Sequence, residues 1–453
     1  MLTVTKVTLE KGKKTLLKEL SFSLTGGQIL QVMGPNGVGK TSLLRSISEI
    51  SPPTRGIIYS TFVSTLFIPT NGGYRHELSV SQILNDMSEE GTEIISKRLD
   101  EFRIAAIKDK PLASVSDGQK KRVMFAGIDI KESTLLIIDE PFNTLDNDGL
   151  LLLLNIFSEI CSKGGAVVLS THTSIKEILS IVNNTAFFEE LEIRSLEICP
   201  HDPRDWKLSK GFESVSNQEL TQIEVKKKQH GIVEEFMKNI IRETQLLKQE
   251  FSDLSWPIVL FLMIVCVIPL GATLNQNDLT NIVSGVFWIS MLLVMIFASN
   301  RSLLLEFNQG VLDQLIVRKR SLSIYCFIKV VINWILVGLP ISVLSLPLSM
   351  IYGLPGASAM AMGTSLAIGS LFVSGALIFF SSLGLMARQA QTVISLLSLP
   401  ILIPLMIFGS AIVRGTLDGT STINLYLLLT GMSLFCILTI PFICEKVIVL
   451  ASE

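Results

Sequence analysis

Lys40, Thr41, Asp139 and Glu140 are the residues whose types and neighbours could together handle a phosphate ester. Lys40 and Thr41 close the run Gly34-Pro35-Asn36-Gly37-Val38-Gly39-Lys40-Thr41, which fits the phosphate-binding loop pattern G-x-x-x-x-G-K-[ST] at every fixed position. Glycines let a backbone curl until successive N–H groups face one anion, and a following helix adds its positive end. The run from Gly34 to Thr41, with Ser42 beyond it, is therefore the expected nucleotide cradle. Lys40 would reach the outer phosphates, and the Thr41 hydroxyl would ligate Mg²⁺. Asp139 and Glu140 follow the apolar run Leu135-Leu136-Ile137-Ile138. The first acid suits Mg²⁺, and the second can orient and polarise an attacking water. ATP and Mg²⁺ are the expected cofactors.

These groups need a scaffold that brings distant segments together. Ile29–Met33 reads as a buried strand and Ser42–Ile47 as the first turns of a helix, the setting in which a phosphate loop works. Leu135–Ile138 and Val167–Thr171 read as further apolar strands, and Leu66–Ile68 as another with its exit loop at Pro69-Thr70-Asn71. Lys11-Gly12-Lys13-Lys14 reads as a hairpin turn, and Leu78–Ala126 is helical in pattern. Strands alternating with helices predict an α/β P-loop NTPase domain over residues 1–200.

Composition adds a second solvent environment. Only eight of the 38 Lys and Arg, and six of the 40 Asp and Glu, fall in residues 256–453. A stretch so poor in charge and rich in Leu, Ile and Val is a membrane domain. The net charge of −2 argues against a nucleic-acid partner. Six scattered cysteines without a C-x-x-C pair fit a reduced compartment. The chain opens directly into strand-like sequence, which predicts no signal or transit peptide.

Residues 201–255 change to Lys, Glu, Gln and Ser, with Lys226-Lys227-Lys228 at the centre. They read as a linker and then an amphipathic helix (Ile232, Val233, Phe236, Ile240, Ile241, Leu246, Leu247), suited either to a membrane surface and its lipids or to a solvated spacer. Six apolar spans follow, near Trp256–Leu274, Ile282–Ser299, Ser323–Ile351, Ala359–Met386, Thr392–Val413 and Leu425–Val447. Arg301, Arg318, Lys319, Arg320 and Arg388 fall in two of the connecting loops, while the others carry only Arg414. This bias predicts that the ATPase, the basic loops and both termini share the cytoplasmic side. Between spans two and three, Leu303–Leu315 alternates at helical spacing and predicts a short helix that presses on the ATPase domain, with Glu306 and Asp313 on it.

Ser114-Val115-Ser116-Asp117-Gly118-Gln119-Lys120-Lys121-Arg122 resembles the signature segment of ABC ATPases, with Val115 and Asp117 departing from it. Ser116, Gly118 and Gln119 remain as expected nucleotide contacts, and Asp117 would weaken that clamp unless it points away. Asn143-Thr144-Leu145-Asp146 is similar to the D-loop, and His172 stands where that family places its switch histidine, a catalytic role alongside Glu140. The aromatic that often stacks on adenine has no counterpart near Lys11–Lys14, so base recognition should be mostly apolar. The glutamine of the Q-loop is missing, its place falling on Thr70 or Asn71. The resemblance implies an ABC ATPase followed by an all-α six-helix transmembrane domain of the ABC-2 exporter type.

The membrane half resembles the membrane (B) component of the haem exporter of cytochrome c maturation. The carrying residues are Gly285-Val286-Phe287-Trp288-Ile289, Glu306 with Gly310–Leu315, Asn333-Trp334, Gly338-Leu339-Pro340, and Leu399–Gly409. The first half is similar to the ATP-binding (A) component of the same exporter, so the chain resembles a head-to-tail fusion of the two. That implies an ATP-driven assembly at the bacterial cytoplasmic membrane, with a second copy of the chain, haem-delivery membrane subunits C and D and the periplasmic haem chaperone E. His76, His172, His201 and His230 all precede the first span, leaving Met263, Met291, Met295, Cys266, Cys326 and Tyr325 as possible iron ligands. The residues also leave open a general exporter of a lipid, drug or peptide. A nucleotide-binding regulatory ATPase with little turnover, suggested by Asp117 and the absent glutamine, is open as well.

Overall fold

The computed structural model describes residues 1–12, 14–87, 92–175, 192–198, 204, 206–209, 240, 251–271, 276–299, 302–386 and 397–452. The chain forms two compact units. The first comprises Met1–Gly231, Asn308–Arg320 and Ser452–Glu453, and the second Ile232–Phe307 and Ser321–Ala451. The expected interfacial helix over residues 232–247 lies, apart from Ile240, outside the described residues.

In the first unit, β1 (Leu2–Lys11), β2 (Lys14–Leu24) and β4 (Arg55–Ser60) form an antiparallel sheet in the order β2-β1-β4. The second sheet takes β3 (Gln28–Met33), β5 (Ser64–Ile68), β6 (Thr134–Ile138), β7 (Ala166–Thr171), β8 (Glu192–Ile198) and β9 (Trp206–Leu208) in the order β5-β6-β7-β3-β8-β9. Its first five strands are parallel, with β9 antiparallel at the edge. Every residue of β6 and β7 is buried, as expected of parallel strands covered on both faces. Around the sheets lie α1 (Lys40–Ile47), α2 (Val80–Met87), α3 (Thr92–Glu101), α4 (Asp117–Ala126) and α5 (Asn147–Ser162).

The second unit is helical. Among the described residues, the stretches Ile282–Asn308, Leu322–Ile351, Gly356–Met386, Leu399–Leu417 and Ile423–Ser452 are long and apolar enough to cross a membrane. A further helix, α6 (Phe251–Gly271), contributes the shorter apolar stretch Trp256–Val267. The expected fifth span is described as a helix from Leu399 to Leu417, and its expected start at Thr392 lies outside the described residues. The helices pack around Trp288 of α7 (Gln276–Ser299), which is fully buried. Gly369 and Gly409 flank it so closely that a Cβ on either would collide with the indole, the close approach that small residues permit between membrane helices. Buried serines donate to helix carbonyls, Ser342 one turn back to Gly338 (2.7 Å) and Ser374 across to Val330 of another helix (2.7 Å). Leu322–Ile351 contains a π-helical turn at Trp334–Gly338, which ends two residues before Pro340, a residue that cannot donate to the helix ladder.

The sequence pattern over Leu303–Leu315 predicts one helix, and the structure has two: α8 (Ser302–Asn308) and α9 (Val311–Val317). Gly310 separates them at φ +77°, a left-handed value that glycine adopts freely. Glu306, expected on a docking face, belongs instead to the second unit, fully buried and paired with Lys329 at 2.8 Å.

Candidate functional site

Because β5, β6, β7 and β3 run parallel and adjacent, the residues after their C-terminal ends fall in one row. Thr70, Asp139, His172 and the phosphate loop are therefore neighbours in space. The loop leaves β3 at Gly34 (φ +152°) and enters α1 at Gly39 (φ +115°). A Cβ at Gly39 would stand 3.0 Å from the Leu16 Cβ, so an apolar side chain of β2 packs against the last glycine of the loop. The Lys40 ammonium donates to the Gly34 and Pro35 carbonyls at 2.6 and 3.2 Å, reaching back along its own loop. Burial lowers its pKa, opposed by the nearby charges of Glu140 and Asp139.

Asp139 is buried and collects three hydroxyl donors. Thr41 and Thr70 donate to its Oδ2 at 2.8 and 3.0 Å, and Ser170 donates to Oδ1 at 2.5 Å. The Ser170 oxygen in turn accepts from the Glu140 N–H at 2.9 Å. Glu140 itself sits at φ +50°, unusual for a side chain with a Cβ. Its carboxylate is split between His172 Nε2 (3.0 Å) and Asn143 Nδ2 (2.9 Å). His172 Nε2 also lies 3.4 Å from the Lys40 ammonium; the tautomer with the proton on Nε2 serves the closer carboxylate. Lys40, Thr41, Asp139, Glu140 and His172 thus form one cluster.

Ser116, Gly118 and Gln119 lie apart from it, at the start of α4. Ser116 caps the helix, and its hydroxyl accepts from the Gln119 N–H at 3.3 Å while the Gln119 carboxamide accepts from the Ser116 N–H at 3.1 Å. Asp117 turns to Lys120 at 2.8 Å, and that ammonium holds its carboxyl below the ordinary range. The charge expected to weaken the clamp is therefore answered within its own helix turn. Behind it, Arg122 meets Asp146, the residue that caps α5, at 2.5 Å.

Sequence reasoning missed Ser170 and Lys121. Ser170 is buried in β7, and a hydroxyl near the end of an apolar strand was the only signal available. Lys121 donates to the Glu140 and Pro141 carbonyls at 2.7 and 3.2 Å. The place of the absent glutamine is divided between two residues. Thr70 turns to Asp139, and the Asn71 carboxamide donates to the Asn308 carbonyl at 3.0 Å. Asn308 opens the segment 308–320, which packs within the first unit. There Gln309 accepts from the Gly73 N–H at 3.0 Å, Gln314 Nε2 donates to the Phe67 carbonyl, and Arg318 donates to the Asp86 carbonyl (3.1 Å) and the Tyr74 hydroxyl (2.9 Å). Burial raises the Asp313 carboxyl in this segment, against the opposing effect of Arg45 beside it. Among the described residues no cluster of three or more His, Cys, Asp or Glu is arranged to hold a metal ion.

Two family models match the chain: "ABC transporter" over residues 17–143 and "CcmB protein" over residues 234–450. The cytochrome c biogenesis ATP-binding export protein CcmA of Mannheimia succiniciproducens is 29% identical over 204 residues, covering 42% of this chain and 95% of that protein. Its namesake in Tatumella citrea is 31% identical over 194 residues, covering 40% of this chain and 93% of that protein. A solved ATP-binding subunit of an ABC transporter aligns with TM-score 0.38 at 24% identity, over 48% of this chain and 90% of its own.

Proposed function

Since the chain belongs to the family of the cytochrome c biogenesis ATP-binding export protein CcmA and continues into a CcmB region, we propose that it couples ATP hydrolysis to haem handling in cytochrome c maturation. The coupling would serve haem export or the release of the haem-loaded periplasmic chaperone. The observation that carries the hydrolytic part is the meeting of Lys40, Thr41, Asp139, Glu140 and His172 at adjacent strand ends.

In this reading the loop Gly34–Thr41 and Ser42 bind the nucleotide phosphates, and Lys40 leaves its loop carbonyls for the outer ones. The hydroxyl of Thr41 and the carboxylate of Asp139, 2.8 Å apart, are hard oxygen donors that fit Mg²⁺. When bound, that ion offsets the charge developing on the transferred phosphoryl group. Glu140 accepts a hydrogen bond from the attacking water and draws on its proton, while His172 orients the Glu140 carboxylate. Ser116, Gly118 and Gln119 lie on the face that would close on the nucleotide of a second copy.

Residues 1–200 form the ATPase domain in this reading, 201–255 the linker and interfacial helix, and 256–453 the membrane domain. The chain is a multi-pass membrane protein, and we place it in the bacterial cytoplasmic membrane with the ATPase and both termini on the cytoplasmic side. The haem-delivery membrane subunits C and D and the chaperone E are its proposed partners.

The deciding experiment is complementation of cytochrome c assembly by this chain in cells lacking their own CcmA and CcmB, beside ATPase assays on the purified protein. Assembly that depends on an intact Lys40 supports the proposal. Hydrolysis that responds to lipids, drugs or peptides but not to the haem chaperone, without assembly in cells, would overturn it.

A further inference from the structure

We propose that Lys121 is a positioning residue for hydrolysis, pinning the backbone of Glu140 so that its carboxylate stays aimed at the attacking water. The inference deepens the proposed function and rests on Glu140 as the group that polarises that water.

Glu140 stands at φ +50°, a region that side chains with a Cβ avoid, so the surrounding bonds must hold it there. The peptide on its N-terminal side is fixed by Ser170, whose Oγ accepts the Glu140 N–H at 2.9 Å. The peptide on its C-terminal side is fixed by Lys121, whose ammonium donates to the Glu140 carbonyl at 2.7 Å and to the next carbonyl, Pro141, at 3.2 Å. Both flanking peptide planes are thereby set, and with them the direction of the Glu140 Cα–Cβ bond. The carboxylate beyond is then shared by His172 and Asn143. Losing the ammonium would leave two carbonyls without their donor and free the turn to relax to negative φ.

A filler role does not account for Lys121. Its stem lies half-buried, and burial lowers the ammonium to about 8, opposed by the charges of Glu140, Asp139 and Asp117. A Met or Leu would occupy the same space without that desolvation. The charged donor is what the turn uses, because charge-assisted hydrogen bonds to carbonyls are the stronger kind.

The test compares Lys121→Met, Lys121→Gln and Lys121→Arg with wild type and Glu140→Gln in the purified full chain. Steady-state kcat and KM for Mg-ATP are measured, together with the affinity for a fluorescent ATP analogue. Lys121→Met is expected to lower kcat on the order of ten-fold, with KM and analogue affinity within about two-fold, and Lys121→Arg to restore most of the loss. Wild-type kcat in Lys121→Met, with Glu140→Gln inactive, overturns the proposal. An Arg variant as slow as the Met variant assigns the loss to packing and also overturns it. If Lys121→Met loses nucleotide binding, Lys121→Gln decides: reduced kcat at retained affinity supports the role, and unchanged kcat removes it. Hydrolysis at the wild-type rate in Glu140→Gln would instead strike the assignment of Glu140, and the reason for Lys121 with it.

Discussion

Arg45 grips Asp313 with both arms of its guanidinium, at 2.5 and 3.0 Å, and donates a further bond to the Ser452 carbonyl at 2.9 Å. Arg45 is on α1, the helix that begins with Lys40 and Thr41, while Asp313 is on α9, between two apolar stretches of the chain. A change in the phosphate loop thus has a bidentate ionic route to segment 308–320. Asp313→Lys is expected to leave basal ATPase activity within about three-fold while cytochrome c assembly fails, because the residue is remote from the reacting groups. The exchange of Arg45→Asp with Asp313→Arg should recover part of the assembly. Full assembly by Asp313→Lys alone would send the coupling elsewhere.

Glu140→Gln should abolish turnover, a loss on the order of 10²–10⁴ in rate, and keep ATP binding. Lys40→Ala should instead weaken binding itself. Equilibrium binding of a fluorescent ATP analogue, alongside phosphate release, separates the two; Glu140→Gln hydrolysing within a few-fold of wild type would remove it from the catalytic role.

The pair Glu306–Lys329 is buried on both sides at 2.8 Å. Removing one partner from such a pair strands a charge and typically costs about 3–5 kcal/mol, whereas replacing both with apolar residues is close to neutral. Lys329→Met should therefore lower the unfolding midpoint in detergent markedly, and Glu306→Met added to it should recover most of the loss. Equal stability of the single variant and wild type would contradict this.

Much of this arrangement was legible in the sequence because phosphate chemistry tolerates few residue types. A lysine and a hydroxyl after a glycine loop, and two acids after an apolar strand, have few alternative uses, and the parallel sheet brings them together. The bonds of Thr70 and Ser170 to Asp139 were not legible, since a hydroxyl near a strand end is common and its acceptor is remote in sequence. Glu306 shows another limit. Helical spacing over Leu303–Leu315 was visible, but Gly310 splits the stretch, and spacing alone does not say that Lys329 is the partner of that acid.

The working assembly should contain two copies of this chain, because each supplies one phosphate loop and one signature segment. Native mass measurement in detergent would count them. Full ATPase activity from an assembly with one copy would exclude the pairing of sites between copies.

Purified without its partners from haem-replete cells, the chain should carry no stoichiometric haem. Of the possible ligands, Met291, Met295, Cys326 and Tyr325 are buried in helix packing, while Met263 and Cys266 face outward. Met and Cys serve as ordinary apolar filling in such places. An absorption spectrum provides the check: a Soret band near one haem per chain, lost on changing one of these residues, would restore direct transport.

The seam at Gly310 has a mechanical meaning. A Cβ there would lie 3.0 Å from Pro69 Cγ and 3.4 Å from Gly73 Cα, and one on Gly73 would strike Gln314 at 2.7 Å. Here Gly73 bonds to Gln309 main chain to main chain at 3.0 Å, and the Gln314 side chain beside them is itself held by the Phe67 carbonyl. Flexible side chains act as springs, absorbing small displacements by changing rotamer; a backbone seam has no such slack. The loop on one side of it begins at Thr70, bonded to Asp139, and continues through Asn71, bonded to Asn308. Movement of Asp139 by a fraction of an ångström would reach residues 308–310 through a stiff linkage with little backlash, so the stroke can be short.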